Sequence, residues 1–171
     1  MAQAFLSALA SMALILPVAA SAAPPARMAI TSFEQLARPL PMPYDDKADA
    51  DAAVAKARAR AKRSGKLVLI DLGGNWCLDC RILAGVMETQ PLTAWIAKHF
   101  EVVSVDIGRF DRNQQIQQSF GIKGRLEGVP ALLIVNPRTG KLINAGHVTA
   151  LADARTLTPQ ALADWLAGWV K

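Results

Sequence analysis

Cys77 and Cys80 are the only cysteines in the chain, and they stand in a Cys-x-x-Cys spacing. Two thiols that close can cycle between dithiol and disulfide. The stretch Leu67-Val68-Leu69-Ile70 ahead of them is apolar and reads as a buried strand. Arg81 to Met87 behind them reads as a helix with a mixed apolar face. The sulfurs therefore fall at a strand-to-helix junction, where backbone N–H groups and the positive end of a helix dipole stabilise a thiolate. Cys77, first in the pair and nearer the helix N-terminus, is the attacking sulfur. Cys80, one turn on, is the resolving one. A permanent disulfide is the competing reading, but so short a closed loop would constrain little. A zinc site needs about four ligands, and His99 and His147, the only histidines, are not spaced as ligands. No metal site is assigned.

Three charged residues bear on that chemistry. Asp71 ends the apolar strand, where burial raises a carboxyl pKa and equips it to take the Cys80 proton during resolution. Asp79 lies between the sulfurs, where its charge disfavours a thiolate, and Arg81 is placed to offset it in part. The pair predicts a Cys77 pKa toward the upper part of the Cys-x-x-Cys range, which tilts the protein toward reductase. Trp76 shields the sulfurs and presents a flat apolar surface to partners.

The elements that position these residues follow from the surrounding pattern. Asp45 to Arg63 reads as a helix capped by Asp45 or Asp46, with a stripe of Ala50, Ala53, Val54, Ala57 and Ala61. After the cysteine pair a helix runs to about Thr89, and Leu92 to His99 forms a second segment. Glu101 to Ile107 reads as a strand and Asp111 to Phe120 as a short polar helix. Ala131 to Val135 and Lys141 to Ala145 read as a hairpin through Asn136-Pro137-Arg138-Thr139-Gly140. Thr158 caps a last helix, with Pro159 at its first position and Leu162, Trp165, Leu166 and Trp169 on one face.

At these residues the chain resembles the thioredoxin superfamily. Trp76-Cys77-Leu78-Asp79-Cys80 matches its W-C-x-x-C, Asp71 stands six positions before Cys77 where the family carries a buried acid, and Gly128-Val129-Pro130 precedes an apolar strand as the family's cis-proline segment does. The resemblance implies an α/β thioredoxin-like fold, a central mixed sheet flanked by helices, with an N-terminal extension. It also implies that the loop with Pro130 faces the cysteines and that the Val129 backbone pairs with a substrate chain. The x-x dipeptide resembles the C-x-D-C type, which the family uses for narrower substrate sets. There are three departures: a longer loop over 120–130, Gly85 where the active-site helix carries a proline, and Ser104 in place of a lysine near the buried acid.

A length of 171 residues allows one domain with extras. Phe5 to Ala20 is apolar and runs into Ala20-Ser21-Ala22, so residues 1–22 resemble a secretory signal peptide, an uncleaved membrane anchor being the alternative. Residues 23–44 are a proline-rich arm in which Phe33 and Leu36 can pack on the domain; residues 45–171 are the domain itself. The net charge of +5 permits acidic partners, but no Lys/Arg cluster is interleaved with aromatics, so nucleic acid is not an expected partner. The expectation is an exported, periplasmic thiol–disulfide oxidoreductase that reduces disulfides in exported proteins. It would draw electrons from a membrane or soluble dithiol donor. It would hold no tightly bound cofactor and act as a monomer, since a covalent dimer would use up the active site. A disulfide oxidase or isomerase, or a copper metallochaperone holding its metal through Cys77 and Cys80, are the alternatives.

Overall fold

The structure, a computed structural model, describes residues 23–171. The expected leader over residues 1–22 lies outside the described residues. The elements run in the order α1 (Ala50–Ser64), β1 (Leu67–Gly73), α2 (Leu78–Met87), α3 (Leu92–His99), β2 (Phe100–Asp106), α4 (Gln114–Ser119), β3 (Ala131–Val135) and α5 (Pro159–Ala167), with 3-10 turns at Phe33–Gln35 and Ala154–Thr156. Among the described residues they build a three-stranded mixed sheet in the order β2-β1-β3, β1 lying parallel to β2 and antiparallel to β3. The central strand is the one that leads into the cysteines.

Strand alternation sends the side chains of β1 to two separate cores. Leu69 joins Leu132 and Ile134 under α2, α3 and α5, against Leu83, Val86, Leu92, Ile96, Leu162 and Leu166. Val68, Ile70 and Leu72 face the other way, against Ala57 and Ala61 of α1 and Ile116 of α4. The small-residue stripe of α1 lets that helix approach the sheet closely. A sheet covered on both faces explains why β1 and β3 read as continuous apolar runs.

Several boundaries differ from the sequence expectation, each for a local reason. Asp49, not Asp45 or Asp46, caps α1: its carboxylate accepts the Ala52 N–H at 2.9 Å, while the Asp45 side chain is taken by the N–H of Lys47. The polar helix α4 begins later than expected, because Phe110 and Asn113 both adopt positive φ and Asp111 holds a turn through the Arg109 N–H. The expected second hairpin strand, Lys141 to Ala145, reduces to one bridge, Val135 to Leu142. The buried side chain of Asn144 takes the ladder positions instead, accepting from the Ile134 N–H at 2.9 Å and donating to the Leu132 carbonyl at 2.7 Å.

The arm is more than a tether. The Ala23 N–H donates to the Val170 carbonyl, Trp95 Nε1 donates to the Pro24 carbonyl, and the Gln160 amide brackets Ala26 and Met28. Leu36 and Leu40 are buried in the α2/α3/α5 core and pack over Gly85 of α2, where an added Cβ would lie 3.4 Å from both leucine side chains. Tyr44, at the arm's end, is buried in the opposite core, beside the cysteines.

Candidate active site

Cys77 is the N-cap of α2: its sulfur accepts the Cys80 N–H at 3.2 Å. This geometry puts the sulfur on the positive end of the helix, where a thiolate is favoured. The two sulfurs are unbonded thiols, Cys77 6% and Cys80 0% exposed. The Cys80 thiol, hydrogen-bonded to the Cys77 sulfur, holds the Cys77 pKa below that of an ordinary thiol; burial and the Asp79 charge oppose this, and backbone N–H groups assist it. The same thiol–thiol bond, followed by burial, pushes the Cys80 thiol far upward. The two thiols thus sit in opposite electrostatic settings, Cys77 made more acidic and Cys80 less so.

The loop before β3 closes over the pair. The Val129 carbonyl lies 3.5 Å from the Cys77 sulfur, within reach of the thiol as an acceptor. The Val129–Pro130 peptide bond is cis, and both residues are buried. Gly128 lets the loop pass close to Ala152, since a Cβ there would sit 2.7 Å from that side chain. On the other flank Trp76 is 41% exposed; its Nε1 donates to the Gly108 carbonyl at 2.7 Å, fixing the ring at the rim. Arg109 lies over that ring at 4.8 Å, and Phe110 tilts against it.

Asp71 is 2% exposed, and burial raises its carboxyl to about 7, against the opposing hydrogen bond from Tyr44. Tyr44 donates to Asp71 Oδ2 at 2.8 Å. Asp71 Oδ1 has no protein partner, and Asp71 is among the residues lining a cavity of about 280 Å³ between α2, α3 and β2, with Glu88, Thr93 and Ser104 among its polar walls. Gly73 is required for steric reasons: a Cβ there would lie 2.5 Å from the Tyr44 hydroxyl oxygen and 2.9 Å from the Cys80 sulfur.

Asp79 is buried, and its partner is not Arg81. Arg155 holds it with three hydrogen bonds: the backbone N–H and Nε to Oδ1 at 2.9 and 3.1 Å, and a terminal nitrogen to Oδ2 at 2.6 Å. Arg81 instead donates to the carbonyls of Pro41 and Leu40, anchoring the arm. The expected role of Arg81 beside Asp79 is therefore reassigned: seated on the neighbouring carbonyls, it leaves that carboxylate to a guanidinium 76 positions away in sequence. Both contacts are far apart in the chain, and this is why sequence reasoning missed Arg155 and Tyr44. Arg155 left no signal; Tyr44, the single tyrosine of the chain and set just after Pro41 and Pro43, left a faint one.

Residues 49–137 match the family model described as thioredoxin-like. A disulphide isomerase from Xylella fastidiosa Temecula1 is similar in structure, with 44% sequence identity, a TM-score of 0.68, and coverage of 75% of this chain and 97% of that one. A point-mutant thioredoxin from Halobacterium salinarum NRC-1 matches at 20% identity and a TM-score of 0.41, covering 75% of this chain and 89% of its own. No curated protein matches the chain.

Proposed function

Because the chain belongs to the thioredoxin-like family, we propose that it is a thiol–disulfide oxidoreductase working from its reduced form. The observation that carries this reading is the Cys77 sulfur at the N-terminus of α2, its pKa lowered, with Cys80 behind it and the Val129 carbonyl in front. The Cys77 thiolate attacks one sulfur of a partner disulfide. A mixed disulfide forms, and the partner's other sulfur leaves as a thiolate and is protonated. Cys80 then loses its proton and attacks Cys77; the Cys77–Cys80 bond forms and the partner's second sulfur departs. Two electrons pass to the partner, so the protein needs a dithiol donor for its next turnover. Asp71, with its raised pKa, receives the Cys80 proton.

The proposal extends to direction and place. Reduction of disulfides in exported proteins, in the periplasm of a Gram-negative cell, is supported by the apolar stretch before Ala20-Ser21-Ala22 and by Asp79, whose charge opposes the Cys77 thiolate. Isomerisation is the second reading. The 44% identical protein named a disulphide isomerase favours it, and it uses the same attack by Cys77. Metal carriage has less support: among the described residues no group of three or more His, Cys, Asp or Glu side chains converges, and His99 and His147 pack against Trp95 and Trp169.

The test is reduction of a disulfide-bonded reporter protein by the pre-reduced chain. Cys77→Ser should abolish it, and Cys80→Ser should accumulate the mixed disulfide. A chain that forms no mixed disulfide while binding stoichiometric copper would overturn the reading. Recovery of a scrambled substrate without net loss of its disulfides would select the isomerase.

A further inference from the structure

The oxidoreductase reading leaves a gap between Cys80, which must lose a proton, and Asp71, which receives it. We propose that the Tyr44 hydroxyl bridges that gap, relaying the proton of the Cys80 thiol to Asp71 Oδ2 during resolution. The inference rests on the proposed oxidoreductase activity and adds to it a residue outside the Cys-x-x-Cys segment.

Three observations converge. The Tyr44 hydroxyl donates to Asp71 Oδ2 at 2.8 Å, entirely within the protein interior. Its oxygen and the Cys80 sulfur lie 2.5 and 2.9 Å from one point, the place where a Gly73 side chain would begin, so the bare glycine leaves that space to both groups. Burial first, then the charges of Asp71 and the neighbouring Cys80 side chain, raise the Tyr44 pKa. The relay keeps every atom in balance. The thiol proton moves from Cys80 Sγ to Tyr44 Oη while the Tyr44 proton moves to Asp71 Oδ2. The tyrosine ends neutral, Asp71 ends as the acid and Cys80 as the thiolate that attacks Cys77. Burial raises the tyrosine's own pKa, so a free phenolate is disfavoured and the two transfers must be concerted. The tyrosine belongs to the arm, so the arm contributes a chemical group as well as packing. A further titratable group near Asp71 is Glu88, on the wall of the cavity that Asp71 also lines.

Tyr44→Phe, Asp71→Asn and the double variant are compared in single-turnover breakdown of a preformed Cys77 mixed disulfide between pH 6 and 9. Alkylation of Cys77 serves as the control for the first step. Tyr44→Phe should slow breakdown by about 10²-fold, the lower end of what a positioned proton carrier contributes. It should leave Cys77 alkylation within about twofold, and the double variant should be no slower than Asp71→Asn alone, because the two residues act on one proton. Breakdown at the wild-type rate in Tyr44→Phe, or losses that multiply in the double variant, would overturn the relay. A wild-type chain that never forms the mixed disulfide would overturn the oxidoreductase reading instead. Should the phenylalanine variant fail to fold, the native chain supplies a second measurement. Tyr44 is the single tyrosine, so growth on 3-fluorotyrosine labels that position alone. Its fluorine resonance should titrate with a midpoint near the Asp71 value of about 7 and lose that step in Asp71→Asn. A resonance flat from pH 5 to 9 would contradict the relay.

Discussion

Asp71 carries a conflict between stability and chemistry. Its carboxyl titrates at about 7 in the fold, against 3.8 as the ordinary value, with burial as the main cause. Below pH 4 it is protonated in both folded and unfolded chains. As pH rises from 4 to 7 the unfolded chain loses the proton first, so the folded state loses stability through that window. Three pKa units at 1.36 kcal/mol each set a ceiling of about 4 kcal/mol. Asp71→Asn should therefore stabilise the reduced protein at pH 8, by up to that amount, with the gain vanishing toward pH 4, while slowing resolution. Urea denaturation at both pH values checks it; a variant destabilised at pH 8 would contradict the burial argument. A second residue-scale prediction concerns Asp79, whose charge raises the Cys77 pKa and which Arg155 clamps. Asp79→Asn should lower the Cys77 pKa, and Arg155→Met should raise it by exposing Cys77 to an unpaired carboxylate. Titration of thiolate absorbance near 240 nm reads both; equal pKa values in the two variants would refute the pairing.

At the scale of elements, the arm and α2 depend on each other. Leu36 and Leu40 are buried, Gly85 gives them room, and Arg81 holds the arm's carbonyls. Leu40→Ala should cost about 2–5 kcal/mol, as truncation of a buried leucine does, and should lower the midpoint of urea unfolding without changing its slope. Asp49→Ala, which removes the α1 cap, should cost about 1 kcal/mol by the same measurement. The helices and the central strand were legible in the sequence because their signals are local: Thr158 with Pro159 opens α5, and Leu67 to Ile70 marks β1. Lys141 to Ala145 misled for the same reason. The turn residues Asn136 to Gly140 ahead of it suit a hairpin, but the Asn144 amide fills ladder positions that a backbone would take. The Asp79 partner was not legible because local spacing favoured Arg81, whereas the fold brings in Arg155 from the turn before α5.

On the scale of the whole molecule, the β1–α2 junction unites contributions from three distant parts of the chain. Tyr44 arrives from the arm, Val129 from the loop before β3, and Arg155 from the turn before α5. The cysteine pair, the acid before it and the proline loop could be read from sequence through their order and spacing. The groups that tune them could not, since long-range packing alone selects them. The balance among these groups sets how stable the Cys77 thiolate is, and with it the reduction potential of the pair. Asp79 disfavours the Cys77 thiolate and so favours the disulfide form, while the helix N-terminus and the Cys80 thiol act the other way. The reduction potential of the Cys77/Cys80 couple, measured against glutathione or dithiothreitol buffers, reports that balance in one number. A protein that works as a reductant should poise near −270 mV, roughly the thioredoxin range. A value near −120 mV, roughly that of a strong disulfide donor, would contradict the account.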